Sequence, residues 1–520
     1  MGVRNDNTTN YVHNDEPNLL NLHKALDYNS AGQPMLRVSP GEAGSGTVSA
    51  FGEPYAVSIV PVIQLDAIYG FDNLQMQQYS GGGGSVSYPD STFVCSTSST
   101  IGSYAVVRSR RFIRYRPGQG VVARSAAMFS TPAALTTQRW GIHNQAEGYS
   151  FGYNGTEFGI LQARGGRPHI QTFSLDSYTG AQDFTFVLNG ATTVVAISAD
   201  QTTAGVCSQI ARTAFPGWIV EASDSQVVFL SEQVAPLNGA FSFAHSGTAS
   251  HTFVATATGI TSTNTWTKQT DWNIDPCDGT GESTINLNWQ NFNVFQIQMQ
   301  WLGAGAVTFS IQNPSTGQMM PIHRQLWSNN NTTLHVHNPN FKITCVANSA
   351  GGTTPVTLTV GSWMGAVEGT YESIFYPRSR GVIKKNLAQD LVHHLITIRN
   401  PVVEAGKINT REIRIQDISA SVDSTDPVVI YMFIESPLET GHHVWNPLPD
   451  AISDYSTETG TISLTTNTAV AGFTIGVDGQ GQFDLTRYNI KLPPGMSVTM
   501  ASYSESSVAK ISTNIVWAKD

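Results

Sequence analysis

From Thr47 to the end of the chain, apolar and polar residues alternate in short runs written in β-branched and aromatic side chains, the period-two signature of half-buried strands. Runs at 56–65, 92–95, 108–115, 120–129, 138–143 and 149–162 predict strands, each bounded by Gly, Pro, Asn or Ser. The texture changes over 167–261. There FTFVLNGATTVVAI predicts a hairpin closed by Asn189-Gly190, 202–215 predicts a helix, and 218–221, 226–230 and 239–253 predict further strands. Near Trp266 the first pattern resumes: a polar loop of Asp271, Asn273, Asp275 and Asp278 closed by Gly279, alternation over 292–309, then strands at 320–327, 333–337, 341–347 and 356–367.

These elements predict a mainly β protein: a jelly-roll-like β-sandwich over 47–166 and 262–372, a small α+β module inserted at 167–261, and a second β-sandwich over 386–520. Residues 371–385, with Pro377, Arg378, Arg380, Lys384 and Lys385, form the expected linker. Ahead of the first sandwich, residues 1–46 are a polar arm with a short helix expected over 15–28. Leu19, Leu22 and Leu26 line one stripe of it at helical spacing. So short a helix is marginal alone, so the stripe is expected to dock on a partner and is a candidate subunit contact.

Composition supports the β reading. Charged residues are 13% of the chain, against roughly 25% in soluble proteins generally, so the long charged runs that write helix surfaces are missing. The net charge of −10 argues against general nucleic-acid binding. No apolar run is long enough for a membrane helix, and the polar first 30 residues predict no secretory signal and no membrane insertion. Cys95, Cys207, Cys277 and Cys345 are far apart in sequence and are expected to be reduced, buried thiols.

Several phrases resemble a family of virion structural proteins of tailed bacteriophages and large double-stranded DNA viruses of aquatic microbes. They are LHKALDYNSAGQPMLRV, RRFIRYRPGQGVVARSAAMF, GYSFGYNGTEFGIL, TDWNIDPCDGTGE, FQIQMQWLGAGAVTFSIQNP and NLAQDLVHHLITIRNP. The resemblance implies a place in the virus particle, as tail fibre, baseplate or capsid-surface protein. It implies no catalytic residue.

The strongest charge run is Arg108, Arg110, Arg111, Arg114 and Arg116. In one extended strand, Arg108, Arg110, Arg114 and Arg116 share a face, which reads as a charged edge, as a subunit contact through guanidinium forks, or as a site for an anionic glycan or nucleic acid. Asp271, Asn273, Asp275 and Glu282 have calcium-loop spacing, but Pro276 stands where that loop needs Gly, so side-chain bonds to turn amides are expected instead. His335 and His337, with His323 nearby, are a weak zinc or nickel pattern. Exposed Trp289, Trp301, Trp327 or Trp363 could stack on sugars, yet their alternate spacing reads as core. No nucleophile elbow, zincin, P-loop or dinucleotide fingerprint occurs.

The expectation is a non-enzymatic virion component without cofactor or metal, assembled as a homo-oligomer with other virion proteins. The alternative is a carbohydrate-binding adhesin that meets host-surface glycan.

Overall fold

The computed structural model describes residues 26–28, 34–36, 59–369 and 376–519, apart from 145, 200, 233–235, 405, 437, 441–442 and 449–452. Among these the chain is almost wholly antiparallel β-structure with one α-helix, Thr203–Arg212. Leu19 and Leu22 lie outside the described residues. Leu26 does not continue a helix: Leu26–Tyr28 pairs with Pro34–Leu36 in a two-stranded ribbon. Asn29, Ser30 and Gly32, turn-forming residue types, stand between the two strands and favour a hairpin over a helical turn.

Two sheets face each other in the first sandwich. One runs, in spatial order, Thr263–Lys268, Glu157–Arg164, Gly148–Asn154, Thr136–His143, Lys342–Ser349, Tyr104–Ser109, Met76–Gly81. The other runs Met319–Gln325, Val307–Gln312, Asn293–Met299, Val121–Phe129, Thr357–Glu368, Phe93–Ser96, Ser85–Ser87, with Ile59–Leu65 also paired to Thr357–Glu368. Aromatic rings fill the space between: Phe158 stacks on Trp289 with centroids 4.0 Å apart, and Phe151 meets Phe295 at 4.8 Å. Trp289, Trp327 and Trp363 are buried and Trp301 packs against the same core. Each large ring buried this way contributes about 2 to 3 kcal/mol. All four cysteines are buried and unpaired.

Four expected elements differ, the first being the run at 149–162, which is a hairpin of Gly148–Asn154 with Glu157–Arg164 and not one strand. The strand at 108–115 is Tyr104–Ser109 instead, and the chain leaves the sheet after it. Ser109 causes the departure: its hydroxyl donates to the Arg111 carbonyl (2.8 Å) and accepts from the Ile343 amide (3.2 Å), taking a place in the ladder. Arg108, Arg110, Arg114 and Arg116 therefore do not share one strand face. The strand at 333–337 is absent, because the amides of His335 and His337 go to the Gly303 carbonyl and the Glu147 carboxylate and not to a neighbouring strand. The linker at 371–385 is largely a strand: Tyr376–Leu387 pairs along Val508–Lys519. Its Arg and Lys residues are the charges of an edge strand.

Residues 170–257 build two further sheets, one of four strands and one of three, around a phenylalanine-rich core that the helix helps close. The hairpin is as expected, Gln182–Leu188 with Ala191–Ile197, its Asn189 and Gly190 both at positive φ. Thr202 caps the helix by accepting from the Gly205 amide. Sheets of five and six strands form the C-terminal sandwich.

Buried polar bonds tie these modules together. Arg399 donates to the Asp454 carboxylate and the Ala222 carbonyl, and its guanidinium lies 4.2 Å from the centre of the Trp445 ring. Ser223 donates to the same aspartate (2.9 Å), and Glu221 accepts from the Val402 amide (2.7 Å). Arg111 forks onto Glu412 at 2.8 and 3.2 Å and also donates to the Val62 carbonyl.

Two outcomes follow. Asp454→Ala strands the Arg399 charge away from water, and the expected loss of stability is about 3 to 5 kcal/mol, read as a lowered thermal midpoint. The second concerns His394, whose Nδ1 meets the Glu458 carbonyl and whose Nε2 meets the Thr397 hydroxyl. Burial pushes its pKa down to about 4. The unfolded ring, at about 6.5, takes its proton first, so its contribution is full above that pH and is lost as pH falls toward 4. Thermal midpoints measured across that window are expected to fall more steeply for the native chain than for His394→Gln.

Candidate functional site

Because Ala105, Val107, Trp140, Ile142, Ile343 and Cys345 point into the first core, their strand neighbours point outward. The outer face of the seven-stranded sheet thus carries Tyr104, Arg108, Arg139, His143 and Lys342. The inserted module leaves this sheet after Arg164 and rejoins it at Thr263, on the adjacent strand. It folds back over that outer face and leaves a cleft of about 680 Å³. Tyr104, Arg108, Arg139 and His143 form the sheet wall, and Trp218 and Glu232 stand on the module side. A smaller cavity of about 200 Å³ adjoins it where the C-terminal sandwich arrives, lined by Arg108, Arg110, Lys342, Glu221 and Val402.

The cationic side chains here are held very differently. Arg108 lies 4.7 Å from the Tyr79 ring centre and donates to the Tyr79 hydroxyl (2.8 Å) and to Gln77 (3.1 Å). Lys342 donates to Gln77 (3.1 Å) over the Phe112 ring, and burial, with Arg108 and Arg110 nearby, holds its pKa well below the usual lysine value. Arg139 makes no hydrogen bond or ion pair with any described residue, and its Nε is buried. Burial and the Arg139 charge push His143 down to about 3, so that ring is neutral at physiological pH.

Neither nearby carboxylate compensates Arg139. Glu147 accepts from the amides of Gly165 (2.8 Å), His337 (2.8 Å) and Asn338 (2.9 Å) and contacts His337 Nδ1 (2.8 Å). Burial raises the pKa of Glu232, with Arg108 opposing that rise.

The expected arginine site divides. Arg108 and Arg110 line the cavities, whereas Arg114 and Arg116 lie in the chain beyond the strand, outside both linings. Arg111, expected on the opposite face, forks onto the Glu412 carboxylate. Arg139, His143, Tyr104 and Trp218 escaped the sequence reading. The available signal was Arg139 and His143 four apart in a strand, hence on one face.

The calcium-like loop is a set of turns. Asp275 accepts from the amides of Cys277 (2.8 Å) and Ser283 (2.7 Å), and Asp278 from that of Thr280 (2.9 Å). A Cβ on Gly281 would come within 2.3 Å of Asp275 Oδ1. The three histidines are separately engaged: His335 with the Tyr149 hydroxyl, His337 with Glu147, and His323 with the Asn273 amide. Among the described residues no group of three His, Cys, Asp or Glu side chains is placed to hold a metal ion.

No family model matches the chain, and no curated protein matches it. Among solved structures, it is similar to the cellulose-induced protein Cip1 at 10% identity, over 60% of this chain and 99% of that one, with a TM-score of 0.24. It is similar to peanut lectin at 8% identity, over 60% and 99%, with a TM-score of 0.25. A triple jelly-roll turret protein of an archaeal virus shows 9% identity over 87% and 92%, with a TM-score of 0.15. Likenesses this low carry no argument about what the chain does.

With both Asp275 oxygens bound to amides, calcium or EDTA is expected to leave the thermal midpoint unchanged, while Gly281→Ala lowers it by disrupting the turn. A calcium-dependent rise of several degrees in scanning fluorimetry would contradict this assignment.

Proposed function

We propose that this chain is a structural component of a virus particle, at the tail, baseplate or capsid surface, where it works by assembly and not by catalysis. Its partners are further copies of itself and other virion proteins, with the N-terminal residues as one contact. The observation that carries this reading is how the chemically capable side chains are used. Glu147 and Asp275 bind backbone amides, Arg399 and Asp454 bridge two modules, and His394 sits within a bonded chain of Thr397 and Thr499. Such groups position backbone and modules, as a protein selected for a fixed shape requires. The phrases resembling virion structural proteins support the same reading.

A second reading, attachment to a host-surface glycan, is favoured by one feature, the cleft with an uncompensated arginine on one wall and a tryptophan on the other.

The test of the first reading is the mass of the purified full chain by light scattering after size exclusion. A closed oligomer at micromolar concentration is expected. A monomer across that range, with no association on removal of denaturant or change of salt, would sink it.

A further inference from the structure

The cleft is built within one chain, so what it binds can be argued apart from assembly. Its volume of about 680 Å³ lies within the roughly 300 to 1,000 Å³ typical of small-molecule sites. Its sheet wall is basic. Of the two arginines there, Arg108 is held by Gln77 and Tyr79, and only Arg139 keeps its donors free of described partners. Arg139 is half-buried, with its Nε shielded from water and unpaired, and a carboxylate meeting its fork would supply the missing acceptor with charge-assisted, directional bonds. Lysine would offer a point charge, whereas arginine selects a planar acid.

The remaining wall specifies more than an anion. Trp218 and Tyr104 border the same space, and aromatic faces favour the C–H faces of a ring. Asn264 and Asn348 add neutral amides able to meet hydroxyls. Glu232 also borders the space, which disfavours a polyanion such as nucleic acid with many phosphates. We propose that this cleft binds a carboxylate-bearing sugar, with its acid group on Arg139 and its ring between the walls bearing Tyr104 and Trp218. This deepens the attachment reading and does not depend on the oligomeric state.

The experiment uses the full chain and calorimetric titration with the methyl glycosides of glucuronic, galacturonic and N-acetylneuraminic acids, with methyl glucoside and inorganic sulfate as controls. At least one acidic glycoside is expected to bind saturably, with methyl glucoside much weaker. Arg139→Gln is expected to weaken binding at least about tenfold, and Arg139→Lys to recover part of it. Trp218→Ala is expected to weaken acidic-sugar binding without creating sulfate binding. Circular dichroism and the thermal midpoint establish that each variant is folded. Should Arg139→Gln fail to fold, Arg139→Lys and Trp218→Ala carry the test. No binding of any acidic glycoside overturns the proposal, as does equal binding of methyl glucoside or undiminished binding by folded Arg139→Gln. Sulfate bound as tightly as the best sugar would leave an anion site and remove the sugar. Light scattering on the same samples separates these outcomes from any failure of assembly.

Discussion

A β-sheet has two faces, and what lies over the second face of the seven-stranded sheet decides the rest of this molecule. The inner face is covered by the aromatic core of the first sandwich. The outer face carries Arg108, Arg139 and Lys342, which water would solvate if the sandwich stood alone. The inserted module and the C-terminal sandwich both close over this face. Withdrawing an ion from water costs several kcal/mol unless partners replace the solvent. Arg108 and Lys342 receive Gln77, Tyr79 and Phe112 as those partners. Arg139 receives none among the described residues, and the covering module stands off from the sheet where it lies. The cleft is thus a consequence of charge on a sheet face that has to be both covered and solvated.

The same arithmetic explains how the modules are joined. A buried ion pair adds little net stability over an apolar pair of similar shape, so the joints at Arg399 and Arg111 matter chiefly for geometry. Asp454 and Trp445 hold Arg399 within its own sandwich, and across the joint Arg399 meets the Ala222 carbonyl, Asp454 meets Ser223 and the Val402 amide meets Glu221; few orientations of the module against the sandwich allow all three crossing bonds. Apolar contact between Ile170, Leu230, Ala257 and Val402 supplies non-directional attraction beside it. Attraction holds the modules together, and the polar bonds across the joint fix their angle.

Much of the fold was legible because local chemistry and tertiary structure agree. Asn189-Gly190 is suited to positive φ at both turn positions, and the apolar alternation at 121–129 and 293–299 is the alternation of a sandwich wall. Misreadings fall where a distant group overrides the local pattern. The run at 108–115 has strand-like side chains, but Ser109 captures the Ile343 amide and turns the chain out. The run at 333–337 loses its ladder to Glu147, nearly 190 residues earlier. At 371–385 the charges suit a linker or an edge strand equally, and only the partner at Val508–Lys519 decides. The cleft was less legible still. Arg139 and Trp218 belong to different modules, and their meeting depends on how the insertion folds back.

That dependence can be traced along one element. Trp218–Ser223 runs from the cleft to the joint: Trp218 borders the cleft at one end, while Glu221, Ala222 and Ser223 bond to the C-terminal sandwich at the other. The strand pairs along its whole length with Gln226–Ser231, so it moves as a stiff rod about 20 Å long rather than bending. Rotation of the module about the Arg399 joint would therefore swing Trp218 across the mouth of the cleft. The polar joint to the C-terminal sandwich and the aromatic border of the cleft therefore lie on one strand, so the bonds that fix the module's angle also fix where Trp218 stands relative to the sheet that carries Arg139.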